Sequence, residues 1–211
     1  PFLGLTNEGM PRFYNERGQE TLGDFNFSSS NINFLKYSGT LDPTDVGTLT
    51  NTFRYKNFSL SANINYEFGA VTRLRSITNT DDYSAFPREL TQRWKKPGDE
   101  KHTDIPRLPT SYAFDQYGAD NLINAYYAYG ASTARIVSTD FIRLKEISME
   151  YTVSKTLLRR TPLKNLAVKL QAQNLMLLYS DARLRGDDPE YMYSSSVTAP
   201  KKLILTLRVG L

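Results

Sequence analysis

Three carboxylates sit within four positions near the C-terminus: Asp187, Asp188 and Glu190, around Pro189. Two chemistries suit them. Hard oxygen donors on a short loop bind Ca²⁺ when neighbouring residues complete the shell of oxygens, and a pair of carboxyl groups facing across a sugar hydrolyses a glycosidic bond. The plainer reading is a polar turn in which Pro189 ends a strand. A second set is aromatic: Trp94, Tyr112, Tyr126, Tyr127 and Tyr129. Rings with a polar edge stack on sugars or contact a substrate or protein partner; equally, they pack a long loop against itself or sit at a membrane interface. His102, the one histidine, stands beside Lys101 and Asp104 as a solvated loop residue, and a histidine-rich metal site is excluded. No GxSxG, Walker loop, GxGxxG or HExxH occurs. The sequence therefore assigns no catalytic residue and no cofactor, and its one metal reading is Ca²⁺ at 187–190.

Such residues must be held in place, and composition limits by what. Of 211 residues 40% are hydrophobic, and the mean hydropathy is −0.46. No run approaches the ~20 apolar residues of a helical membrane span. A β-barrel escapes that test, because lipid-facing and lumen-facing side chains alternate and the average stays low. The absence of cysteine excludes a disulfide scaffold and a thiol nucleophile. A net charge of +4 and a pI near 9.2 raise nucleic acid as a partner, but the basic residues are scattered, with no stripe or RNA-binding motif. No nucleic-acid partner is expected. The chain opens at Pro1 with neither a basic n-region nor an apolar h-region, so a signal peptide is expected only on a segment upstream.

The strongest structural signal is Phe58–Phe68. Phe58, Leu60, Ala62, Ile64, Tyr66 and Phe68 share one face, opposite Ser59, Ser61, Asn63, Asn65 and Glu67. Period-two alternation means a strand with one apolar and one polar face. Its length matches the ~9–11 residues of a tilted transmembrane strand rather than the ~5–6 usual in soluble sheets. Four further strands follow from the same pattern, at about 48–56, 141–153, 166–177 and 202–211. Lys56-Asn57 forms a two-residue hairpin connection with Asn57 suited to positive φ. Within 141–153, Ile142 and Leu144 fall out of phase with Ile147, Met149, Tyr151 and Val153, which predicts a β-bulge near Lys145-Glu146. No segment shows a convincing helical period with caps.

From residue 48 the connections run two residues, about sixty, about twelve (154–165) and about twenty-three. Transmembrane barrels alternate short periplasmic turns with long extracellular loops. The order predicts outer loops at about 1–46, 78–140 and 179–200, with a strand at Asn31–Tyr37 inside the first. It also places the C-terminus in the periplasm.

Several segments resemble the SusC/RagA family of TonB-dependent outer-membrane transporters. Asp140–Ser154 (DFIRLKEISMEYTVS) is similar to that family's "FxRLKnvxLgYtxp" strand, and Asn165–Leu175 to its next strand with a "GQNL" ending. Arg185–Glu190 resembles its "GxDPE" loop; Thr52–Leu60, Arg93–Asp99, Ile105–Arg107 and Gly4–Pro11 also resemble family text. The matches keep family order from residue 4 to the end. Two positions depart: Ala172-Gln173 stands where the glycine of "GQN" is usual, and the last residue is Leu211 where the family favours an aromatic assembly signal.

The resemblance implies an all-β architecture: the C-terminal antiparallel strands of an about 22-stranded barrel, with the plug domain outside this chain. It implies import of a large nutrient, oligosaccharide or peptide, with a SusD-like surface lipoprotein as lid. It further implies energy delivered by the TonB complex through the missing N-terminal part, and outer-membrane lipid around the wall. In that setting the polar faces (Ser59, Asn63, Asn65, Glu67; Lys169, Gln171, Gln173) line the lumen. The long loops, with Trp94, Tyr112, Tyr126, Tyr127 and Tyr129, meet substrate and lid. Two other readings of the strands are a secreted carbohydrate-binding β-sandwich and an outer-membrane adhesin barrel.

Overall fold

The computed structural model describes residues 1–25, 32, 35–74, 88–192 and 198–211. The chain divides into two compact units, Pro1–Ser38 with Arg73–Ile136, and Gly39–Thr72 with Val137–Leu211.

The first unit falls where the sequence predicts outer loops, and it is a folded body. Strands β1 (Phe2–Leu5), β2 (Pro11–Tyr14) and β3 (Glu20–Thr21) form an antiparallel sheet inside the expected 1–46 loop. The expected strand at Asn31–Tyr37 lies partly outside the described residues, and Ile32 and Leu35–Tyr37 are not in strand. Within the expected 78–140 loop stand two helices, α1 (Ser111–Tyr117) and α2 (Ala119–Ala131), which corrects the strand-only reading. Thr110 caps α1, its hydroxyl accepting from the Ala113 amide at 3.3 Å; Gly118, at φ 79°, ends it and opens α2. Leu122, Ala125, Tyr126 and Tyr129 are the buried positions of α2, spaced as one helical face. They complete two small cores, one of Phe13, Leu90, Ile105 and Tyr129, the other of Met10, Ala113, Leu122 and Tyr126. Each large apolar side chain so enclosed stabilises the unit by about 1.5–3 kcal/mol. Inside the unit Arg135 and Glu89 form a bidentate ion pair, both contacts 2.7 Å, with the guanidinium over the Tyr129 ring at 5.6 Å.

The second unit is one antiparallel sheet. Strands β4 (Asp45–Tyr55) and β5 (Phe58–Phe68) form a hairpin, and it is Lys56, at φ 51°, that takes the positive φ expected of Asn57. After Phe68 the chain leaves through β6 (Val71–Arg73) and returns through β7 (Ile136–Ser138); these two pair with each other. The Gly69 amide donates to the Asp140 carboxylate at 2.7 Å, tying exit to entry. Strands β8 (Phe141–Thr152), β9 (Asn165–Ser180) and β10 (Lys202–Gly210) complete the sheet, with the four-residue helix α3 (Lys155–Leu158) between β8 and β9. The order is β10-β9-β8-β5-β4. Asn165 opposite Gly210, Ala167 opposite Thr152 and Phe58 opposite Tyr151 put both short connections and Leu211 at one end of the sheet.

Register builds two unlike faces. Phe53, Leu60, Met149, Leu170 and Leu205 are successive partners across all five strands, and Tyr55, Phe58, Tyr151, Val168 and Leu207 form the next row. Arg54, Ser59, Glu150, Lys169 and Thr206 form a row of the opposite face. The predicted bulge is present: Asn63 pairs with Glu146 and Ile64 with Leu144, leaving Lys145 as the extra residue. It returns Ile142 and Leu144 to the apolar face. Opposite it β9 bulges too, at Asn174 with φ 55°.

Candidate functional site on the polar face of the sheet

The polar face carries a ladder of hydrogen-bonding side chains across neighbouring strands. Thr52 and Ser61 hydroxyls lie 3.0 Å apart, the Asn63 amide donates to Thr50 at 3.1 Å, and Gln173 donates to Glu146 at 3.0 Å. Arg208 reaches Glu150 at 3.2 Å. An open concavity of about 660 Å³ lies along this face, lined among others by Arg54, Ser61, Glu146, Ser148, Glu150 and Lys169. Both charge signs alternate along it. Such a wall offers donors and acceptors to a hydrated polar solute without a strong field of one sign.

At the other end of this face the carboxylates of the 187–190 segment find their place. Asp188 forms an ion pair with Arg143 of β8, both side chains nearly enclosed, and also accepts from the Glu190 amide at 3.1 Å. Glu190 lies 3.3 Å from Arg143 Nε, near enough for charge attraction but out of line for a hydrogen bond. Arg143 stands over the Phe141 ring at 5.4 Å. Two of the three carboxylates proposed as Ca²⁺ ligands thus converge on a cation that the chain itself supplies, and Asp187 is absent from these contacts. A short helical turn, Pro189–Tyr191, follows with Asp188 as its cap. Residues 193–197 of the expected 179–200 loop lie outside the described residues.

The five aromatics divide. Tyr126 and Tyr129 are buried, a correction to their expected role in surface contact, and Trp94 is enclosed except where its ring borders an open concavity. Trp94 Nε1 donates to Glu100 at 3.2 Å, and its ring lies against Gly9, where a Cβ would come within 2.4 Å of it. The Tyr126 hydroxyl donates to the Arg107 carbonyl. Tyr112 and Tyr127 are each 68% exposed, on α1 and α2. The helical signal that separates them was in the sequence: 122, 125, 126 and 129 recur with helical spacing, and 127 falls on the opposite side.

Burial also marks the chemistry of this unit. Tyr129 is raised to about 12 by loss of solvent, and Tyr126 is raised for the same reason. Tyr117 is raised to about 12, chiefly by its hydrogen bond to the Glu8 carboxylate and then by burial. Arg135 is pulled down by burial, yet its bonds to Glu89 leave it above the usual guanidinium value. Asp181, just past β9, is held low by the Arg183 side chain bonded to it.

No family model matches the sequence, and no curated protein does. Solved structures do match in fold. The chain is similar over its full length to 22% of a chain in the RagAB peptide importer in the "open-open" state, with a TM-score of 0.64 and 18% identity. A structure of the RagAB peptide transporter matches 90% of the chain with a TM-score of 0.59 and 21% identity. The importer in its "closed-closed" state also matches 90%, with a TM-score of 0.58 and 20% identity. The chain spans about a fifth of the length of these relatives.

Proposed function

We propose that this chain is a C-terminal stretch of wall, with one folded outer elaboration, in a SusC/RagA-type outer-membrane import barrel. The observation that carries the reading is the row Phe53, Leu60, Met149, Leu170 and Leu205. These residues are partners across five strands, and they are 65%, 48%, 46%, 40% and 72% exposed. An apolar face this broad belongs against a low-dielectric medium, and the opposite face is polar. Strands β4 and β10, each paired on one side only, are then continued by further strands of an about 22-stranded wall, because backbone groups facing lipid must be bonded within the protein.

In this reading the cargo is a large nutrient, oligosaccharide or peptide, passing along the polar face; the peptide importers of similar fold favour the peptide. A SusD-like lipoprotein forms the lid, and exposed Tyr112 and Tyr127 meet it or the cargo. The TonB complex supplies energy through a plug domain. The short connections and Leu211 face the periplasm, and the loops at about 1–46, 78–140 and 179–200 are extracellular.

Cell fractionation and labelling test this. The protein should be recovered with outer membranes, resisting extraction by alkaline buffer. A cysteine at position 206 should react with a hydrophilic maleimide, whereas one at 205 should react only with a lipid-soluble one. Protease added to intact cells should cut the 95–101 segment and spare 56–57. Cells lacking the gene should lose uptake of oligopeptides. Recovery of the intact protein in a soluble fraction would sink the reading.

A further inference from the structure

Outside the polar face, the described residues hold a second concavity, entirely within the first unit. It measures about 310 Å³ and is lined by Arg93, Trp94, Lys95, Arg107, Leu108 and Thr110. Three of its six lining residues are cations and none is an acid. Among the described residues, Arg93, Lys95 and Arg107 form no ion pair. The acids of the adjoining turn are bonded to N–H donors and to none of the three cationic side chains. Asp99 accepts from the Lys95 and Lys96 amides at 3.0 and 3.2 Å, and Glu100 from the Gly98 amide at 2.7 Å and the Trp94 indole at 3.2 Å.

The cleft is also rigidly built. The Trp94 amide donates to Ile105 at 2.9 Å, and the Arg107 amide donates to Gly9 at 3.0 Å. Gly9, with φ 78°, lies flat against the indole, leaving no room for a side chain. Arg107 stands over the Trp94 ring at 5.9 Å and donates from Nη2 to Thr110 at 2.8 Å, while Arg93 donates from Nη1 to Leu90 at 2.9 Å. Each guanidinium is thereby oriented with donors left over. Like charges gathered in a concavity reinforce one another's potential and favour an anion there. A guanidinium fork matches a carboxylate in two-point geometry, and the indole and Leu108 supply an apolar floor.

We propose that this cleft binds a carboxylate carried on an apolar body, as at the C-terminus of a hydrophobic peptide, held by Arg93, Lys95 and Arg107 over Trp94. The inference concerns binding and stands apart from the transport reading, because it is measured on purified protein rather than by uptake.

The test is calorimetric titration of the intact protein in detergent with acetyl-Ala-Leu-Phe, as free acid and as C-terminal amide. The free acid should bind at least tenfold more tightly than the amide, and its affinity should fall as salt is raised. The double variant R93Q/K95Q, which changes two side chains outside the apolar cores, should lose tenfold or more in affinity for the free acid. K101Q, which removes one charge from the neighbouring turn, should match the parent. R107K keeps the charge but loses the fork, and should weaken binding while leaving thermal unfolding unchanged. Inorganic phosphate should bind tenfold more weakly than the free acid. Equal affinity for acid and amide, parental affinity in R93Q/K95Q, or phosphate binding as tight as the peptide would each overturn the assignment. Unchanged oligopeptide uptake in cells lacking the gene, with cleft binding intact in the purified protein, would count against the transport reading alone.

Discussion

Arg143, on the polar face of β8, is ion-paired with Asp188, forty-five residues further along the chain and beyond the end of β9. The pair docks the 181–192 segment onto the sheet, and it answers the Asp188 charge with a guanidinium. Removing Asp188 leaves the nearly enclosed Arg143 with Glu190 as its one remaining counter-charge among the described residues, at a cost below the about 3–5 kcal/mol of breaking a fully buried pair. D188N should therefore open the segment to limited proteolysis near Arg183 and Arg185, with the barrel otherwise assembled. Millimolar Ca²⁺ should leave the Tm of the parent unchanged; a clear rise would support the metal reading of these carboxylates.

Lipid exposure of the Phe53–Leu205 row has a direct energetic consequence. An arginine facing the bilayer midplane costs about 2–4 kcal/mol. M149R and L205R should lower the yield of folded protein in lipid vesicles, read by the mobility shift of unboiled samples. Q171R, beside Met149 and Leu205 in the sheet but on the other face, should fold like the parent. Equal loss in all three would contradict the assignment of faces.

Lys145 is the extra residue that keeps β8 in phase at both ends. Deleting it would turn Ile142 and Leu144 toward the polar face and Arg143 toward lipid, since a one-residue slip exchanges the faces. Assembly should fail in the deletion, whereas K145A should assemble normally, because the bulge needs a residue there rather than a lysine.

Alkaline pH should loosen the first unit before the sheet. Tyr129 ionises at about 12 in the folded unit against its usual 10, with Tyr117 also raised to about 12 and Tyr126 raised as well. The folded state holds these protons more tightly, so their stabilisation is fully present below pH 10 and is lost as pH rises toward the folded values. One pKa unit corresponds to about 1.4 kcal/mol, so Tyr129 alone withdraws roughly 2–3 kcal/mol between pH 10 and about 12. Proteolysis of the 88–136 region should increase across that window, and Y129F should reduce the increase. A flat profile would show that burial of the phenols contributes little.

Local chemistry determined the strands. Alternation from Phe58 to Phe68 dictates a two-faced strand whatever surrounds it, and the phase break at Ile142 and Leu144 announces the bulge, because side chains in a strand have only two directions. The order of short and long connections likewise sufficed to put Leu211 at the same end as Lys56-Asn57. What the sequence left open was decided by contacts between distant residues. Tyr126 and Tyr127 are identical in type and adjacent, yet one is enclosed and the other exposed, because α2 turns them about 100° apart against a core contributed by Met10, Ala113 and Leu122. Asp188 resembles a metal ligand until the fold brings Arg143 to it across forty-five positions. Alternation is written in nearest neighbours; the partner of a charge, and the side of a helix that is buried, are set by residues that only the folded chain brings together.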